Sequence, residues 1–186
     1  MPVFRASYTL KETKMTDSAL GLLGVDLDQT YSASAAGNGE LPYAQGERVR
    51  TKNGEAVLVK AASGIPQYSL VMFGPSSANA SASTICVLAS LTNATAGRLY
   101  AVAQTSIASA EYGWVHTECN KEGRILCNTA ETGVPLFLLG SGGQVDDAVT
   151  SGKALTNLFI LASVATSVSA PPAIWSNIAL DRSTIA

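Results

Sequence analysis

Charged residues are scarce in this sequence. Lysine, arginine, aspartate and glutamate make up only 14% of its 186 residues, whereas an ordinary soluble domain has about 25%. Small residues, above all alanine, serine, threonine and glycine, take their place. Because surfaces rich in long charged side chains resist close association, this composition favours a protein whose faces lie against neighbours. Secreted stalks and adhesins share the same composition.

A dense basic run is also missing. The net charge is −2 and the isoelectric point is about 5.3. Arg48, Arg50 and Lys52 come closest to a basic cluster, and their alternate spacing places them on one face of a strand. A protein that neutralises several phosphates needs a denser positive patch than this. The sequence therefore predicts no nucleic-acid partner.

Long apolar segments are absent as well. The longest apolar stretch, residues 158–168, is interrupted by serine and threonine and is too short to span a bilayer. Residues 1–14 contain no apolar core typical of a signal peptide. We therefore expect synthesis in a cytoplasm and no membrane partner. Cysteine is rare too, and the odd number of three in a reducing compartment predicts no disulfide framework.

No part of the sequence keeps a helical period for long. Short apolar runs separated by turn residues instead recur at the spacing of β-sandwiches and small β-barrels, so the sequence predicts a mainly β domain. Asn53-Gly54, which lies between two such runs, is the strongest short signal of a hairpin. A second turn is predicted at Asn120–Gly123, and residues 155–169 could form one long strand. No internal repeat is evident.

The N-terminal region differs from the rest in composition. Residues 1–45 contain polar stretches, and Phe4, Tyr8 and Leu10 stand at roughly alternating positions. This spacing is typical of an extended arm with one apolar face. The predicted organisation is an N-terminal arm at 1–45, with a plain disordered tail as its alternative, followed by a β-rich domain at 46–186.

His116 is the only histidine and the natural candidate for a catalytic base. Cys119 or Cys127 could serve as its nucleophile, but His116 and Cys119 would point to opposite faces of an extended strand. The three side chains together would also supply only three zinc ligands, whereas a structural zinc site needs four. We therefore predict a surface or interface histidine and no catalytic or metal-binding residue. A small Cys/His hydrolase is the remote alternative.

Two other segments suggest ligand binding at first sight. Asp146-Asp147, together with Asp26 and Asp28, could supply oxygen ligands, but the residues around them lack the glycine and distal glutamate of a calcium loop. The glycine-rich stretch Gly140–Gly143 leads into no evident helix, which a phosphate-binding loop requires. The sequence therefore predicts no cofactor.

The segments at 46–62, 97–119 and 123–148 together resemble the capsid decoration (cement) proteins of tailed bacteriophages. The segment GERVRTKNGEAVLVKAA at 46–62 is similar to their opening, a glycine-led strand, a glycine hairpin and an aliphatic strand. The segment GRLYAVAQTSIASAEYGWVHTEC at 97–119 carries the phrase Ile-Ala-Ser-x-x-Tyr-Gly-Trp-Val, which is characteristic of that group. The segment at 123–148 is similar to its continuation.

The resemblance implies a small β-barrel or β-tulip-like domain that is often trimeric and sits on the outside of a capsid. It implies the phage major capsid protein as the partner, a place on the virion exterior, and no catalytic residues. We expect residues 1–45 to tether the domain, with Phe4, Tyr8 and Leu10 as capsid-contact candidates. The alternative is another phage structural subunit, such as a tail-tube, head-fibre base or appendage protein.

Overall fold

The described part of the chain contains ten strands and one short helix, joined by loops and turns. The computed structural model describes residues 25–74, 85–94, 98–149, 154–165 and 168–181. The elements in chain order are α1 (Ala33–Gly37), β1 (Arg48–Thr51), β2 (Gly54–Ala61), β3 (Leu70–Phe73), β4 (Ile85–Leu88), β5 (Tyr100–Ala103), β6 (Tyr112–Arg124), β7 (Leu136–Leu138), β8 (Val145–Asp146), β9 (Ala154–Ile160) and β10 (Pro172–Leu180).

The predicted mainly β class is confirmed. All ten strands belong to one mixed sheet in the order β1-β2-β4-β3-β5-β6-β10-β9-β7-β8. The sheet as a whole has two edges, β1 and β8, so it is a sandwich-like β domain and not a closed barrel. The predicted hairpin is also confirmed, since Lys52 and Asn53 form the turn between β1 and β2.

Five strands in the middle of the sheet pair in a ring. β2 pairs with β4, β4 with β3, β3 with β5, β5 with β6, and β6 returns to β2. The side chains on the inner faces of these strands, and those of the loops that join them, form one buried cluster. Its members are Val57, Val59, Ala61, Ile65, Val71, Phe73, Cys86, Ala101, Ala103, Ile107 and Val115.

The ring contains a structural repeat that the sequence does not reveal. Ile65 and Ile107 exchange two backbone hydrogen bonds, of 2.8 and 2.9 Å. On one side of this pair the Tyr68 N–H donates to the Ala103 carbonyl. On the other side the Ala110 N–H donates to the Ala61 carbonyl. Each of these positions lies 42 residues from its counterpart, so the unit β2–loop–β3 repeats as β5–loop–β6.

Two further layers cover the outside of the ring. On one side, strands β7 to β10 pack against the outer faces of β3, β4 and β5 in the largest of the three buried clusters described, which includes Tyr100, Leu136, Leu158 and Trp175. On the other side, residues 25–43 lie on β2 and β6. Burial on both faces removes the ring strands from solvent, which is why most of their residues are apolar.

The predicted second turn at Asn120–Gly123 is wrong, because β6 runs without a break from Tyr112 to Arg124. Its second half pairs with β10, where Ala173 lies opposite Gly123. A Cβ atom at Gly123 would collide with the Trp175 indole. The glycine is therefore needed for close packing under a tryptophan and not for a turn.

The predicted long strand over residues 155–169 is also wrong, since β9 ends at Ile160. The Leu161 N–H still donates to the Pro172 carbonyl at 2.8 Å, after which the chain leaves the sheet. Val164 and Ser169 then form isolated bridges with Ala130 and Cys127. The apolar residues of this segment are thus divided between a strand and the residues after it, of which Val164 is buried while Leu161 and Val168 are exposed.

We predict that Gly54→Ala strongly destabilises the domain. Gly54 has φ +146°, and a Cβ atom there would collide with the backbone carbonyl of Glu118 on the neighbouring strand. We expect a loss of about 2–4 kcal/mol in the free energy of unfolding, measured by urea denaturation. Gly64→Ala is the matched control, because a Cβ atom at Gly64 meets nothing within 4 Å. Equal stability of the two variants would contradict this account.

Candidate functional site

His116 lies in the middle of β6, opposite Ala56 of β2 and Val102 of β5. The prediction of a surface or interface histidine is wrong, because only 7% of its surface is exposed. Burial lowers the pKa of His116 to about 4, so the imidazole is neutral at physiological pH. Strands on both sides of β6 and layers on both of its faces enclose this residue.

A β-bulge changes the predicted faces of β6. Glu118 pairs with Glu55, whereas His116 pairs with the next residue of β2, Ala56, so Thr117 is an extra residue in β6. His116 and Cys119 therefore lie on the same face of the sheet, and the predicted opposition of the two is wrong. A bulge adds one residue to a strand and inverts the alternation beyond it, which no spacing rule detects.

The three cysteines are buried free thiols. The Cys119 Sγ–H donates to the Lys121 carbonyl at 3.0 Å, and the Cys127 Sγ–H donates to the Ile125 carbonyl at 3.6 Å. Burial raises the pKa of Cys127 to about 12, with Asp146 and Asp147 adding to the effect, and burial raises that of Cys86 to about 12. A nucleophilic thiolate needs a pKa lowered towards neutrality, so the environments of Cys86 and Cys127 disfavour that chemistry.

Asp146 is tied into a local hydrogen-bond network. It accepts hydrogen bonds from Asn128 Nδ2 at 2.9 Å, Thr129 Oγ1 at 3.0 Å and the Ala148 N–H at 2.7 Å. Burial alone would raise the pKa of Asp146, but these hydrogen bonds outweigh it and lower the pKa. The carboxylate therefore holds β8 to the segment that follows β6. Among the described residues, no group of three or more His, Cys, Asp or Glu side chains could hold a metal ion.

The glycine-rich stretch Gly140–Gly143 forms the turn between β7 and β8. The Gly143 N–H donates to the Ala89 carbonyl, and the Gly143 carbonyl accepts from the Leu70 N–H. Both groups are thus used to fasten the turn to β3 and to the end of β4. The strand β8 follows this turn, so the helix N-terminus that binds phosphate in a nucleotide site is not found here.

The predicted capsid-contact residues Phe4, Tyr8 and Leu10 lie outside the described residues. The structure does describe residues 25–43 of the arm, which form a layer over β2 and β6. Val25 and Leu27 are buried there, while Tyr31 and Tyr43 pack against the cluster and remain partly exposed. Tyr43 meets the buried Trp114 edge to face, with ring centroids 5.5 Å apart.

An exposed apolar strip lies along β9 and β10, and the sequence did not lead us to predict it. Phe159 and Leu161 are 58% and 54% exposed. The register places Ile174 opposite Phe159, and Leu161 bonds to Pro172, so these four residues share the outward face. The signal in the sequence is that Phe159 and Leu161, at alternate outward positions, are apolar where a solvated strand would have polar residues.

Comparison with known proteins gives no relative, since no family model, curated protein or solved structure matches this chain. Among the described residues, no helix is long and apolar enough to cross a membrane. Function must therefore be inferred from the residues and surfaces described above.

We predict that His116 makes the domain sensitive to mild acid. Its pKa is about 4 in the folded state and 6.5 in the unfolded chain, so between these values the unfolded state binds more protons. Stability should fall as the pH drops from 6.5 to 4, by up to about 3 kcal/mol. Urea unfolding at several pH values measures this loss.

The control for this prediction is His116→Gln, which cannot titrate in that range. Carboxylates such as Asp146 contribute equally in both proteins, so the difference between the two pH profiles isolates the histidine. Identical profiles for the two proteins would mean that His116 is not the group responsible.

Proposed function

We propose that this chain is a structural virion protein that binds the outer surface of the expanded capsid of a tailed bacteriophage and stabilises it. The observation that carries this proposal is the sequence of segment 97–119, which resembles a strand motif of phage decoration proteins. In this chain the segment supplies β5 and the first part of β6, so the resemblance falls on paired strands of the ring and not on a peripheral loop.

The described surface supports a role in close association. Only 14% of the residues are charged, and Arg48 with Glu55 is the single ion pair within 4 Å among the described residues. The strip of Phe159, Leu161, Pro172 and Ile174 adds an apolar face of the kind that marks contact with another molecule. Together these features suit a protein that lies flat on a lattice of neighbours.

A decoration protein of this kind would act by linked binding. A ligand that binds one state of a shell and not another stabilises the first state by its binding free energy. If the domain binds only the expanded lattice, each bound copy opposes the return to the unexpanded form. Repetition over the lattice multiplies modest contacts, so no single interface has to be strong.

Co-sedimentation tests the proposed function directly. Purified protein is mixed with expanded phage heads stripped of decoration protein, and separately with unexpanded proheads. We expect saturable binding to the expanded heads and none to the proheads. Absence of binding to either would overturn the proposal, and self-assembly of the purified protein into filaments would favour the tail-tube alternative.

A second prediction concerns the N-terminal arm and can be tested separately from the capsid role. Deletion of residues 2–14 should leave a folded domain, because the described core begins at Val25, but this variant should no longer coat expanded heads. An arm can lie along a neighbour or add a strand to its sheet, and in both cases alternate side chains can fill pockets on that neighbour.

Point variants refine this test. Phe4→Ser, Tyr8→Ser and Leu10→Ser combined should weaken coating at least tenfold, on the order of the loss expected from three apolar anchors. The control combines Arg5→Ser, Thr9→Ser and Lys11→Ser in the same segment and should retain coating. Full coating by the deletion variant would contradict the tether role while leaving the capsid role intact.

A further inference from the structure

The edge strand β1 carries positive charge that the domain only partly neutralises. Arg48, Arg50 and Lys52 are all exposed. Arg48 pairs with Glu55 at 2.6 Å, but among the described residues Arg50 and Lys52 have no ion-pair partner within 4 Å. Two cations at this edge of the sheet therefore face solvent.

The backbone of the same strand is open on its outer side. The Leu58 N–H donates to the Glu47 carbonyl, and the register continues from Arg48 opposite Val57 to Thr51 opposite Gly54. Because backbone groups alternate in direction along an antiparallel strand, those of Arg48 and Arg50 point away from β2. No described residue bonds to them on that side.

Pairing of β1 with β1 of another copy is disfavoured by charge. Antiparallel pairing about a two-fold axis would set the arginines of one strand against the arginines of the other. Like charges directly opposite each other destabilise a strand pair. The open edge therefore fits a partner that presents carboxylates.

The chain carries such a surface in the segment directly before β1. Residues 25–47 contain no lysine or arginine, and Asp26, Asp28 and Glu40 are exposed. Asp28 donates its backbone N–H to Asp26 Oδ1 at 3.0 Å. Burial, followed by the charge of Asp26, raises the pKa of Asp28. Among the described residues, no ion pair within 4 Å joins either carboxylate to a cation.

We propose that the basic edge β1 of one copy binds the acidic segment 25–47 of a second copy. The two surfaces are different, so the contact is head to tail and can close into a ring of copies. Opposite charges would set the orientation of the copies, while the open backbone edge of β1 supplies hydrogen-bond donors and acceptors. This contact forms between copies alone and does not rest on the proposed capsid role.

Charge reversal with the full chain tests the contact. Sedimentation velocity should show an oligomer at about 0.05 M NaCl and at least tenfold weaker association at about 0.5 M, because salt screens exposed charges. Arg50→Glu with Lys52→Glu should give a monomer, and so should Asp26→Lys with Asp28→Lys. The variant with all four reversals restores complementary charge and should recover the wild-type oligomer.

The control is Glu131→Lys, which reverses an exposed charge between β6 and β7, beside the layer of β7 to β10 and away from both surfaces, and should leave the oligomer unchanged. Circular dichroism establishes that each variant is folded. A monomeric wild type at about 100 µM and low salt would overturn the proposal. So would unchanged association of either double variant, or a four-fold variant that is folded but monomeric.

Discussion

Two backbone hydrogen bonds between Ile65 and Ile107 join the two halves of the strand ring, and the rest of the domain is built around that junction. The loops that meet there carry Tyr68 and Ala110, both with positive φ angles near 65°, which is uncommon for residues other than glycine. Both isoleucine side chains fill the interior of the ring. The junction thus satisfies buried backbone groups and closes the apolar core at the same place.

The layers outside the ring decide where chemistry can occur. The strands β7 to β10 on one side and residues 25–43 on the other leave His116 and the three cysteines enclosed. The low pKa of His116 and the high pKa values of Cys86 and Cys127 follow from the same burial, since a low dielectric disfavours the charged form of each group. The outer surface of the domain carries other features instead: an apolar strip around Phe159, a basic edge at β1 and an acidic segment before β1. These are the surfaces on which the proposed associations rest.

Much of the fold could be predicted from the sequence where the structure that short sequence patterns favour is also the one that the tertiary contacts stabilise. Asn53-Gly54 predicts a hairpin, and a hairpin forms there, with Lys52 and Asn53 as its turn and Gly54 as the first residue of β2. The glycine at 123 obeys no such rule, because its role depends on Trp175, a residue 52 positions later that packs on it. The bulge at Thr117 likewise arises from pairing with β2 and inverts the faces that simple alternation assigns to His116 and Cys119.

The sequence by itself determined the β class, the first hairpin, the scarcity of charge and the alternation of Arg48 and Arg50 on one strand face. These depend on composition and on period-two patterning, which are local properties. Only the tertiary structure decided the ring, the 42-residue repeat, the burial of His116 and the exposure of Phe159 and Leu161. Each of these depends on which distant strands become neighbours. Of the three aligned pairs that form the repeated hydrogen bonds, Ala61 with Ala103 and Ile65 with Ile107 share a residue type, whereas Tyr68 with Ala110 does not. The repeat is held by backbone hydrogen bonds, which most side chains permit and none specifies.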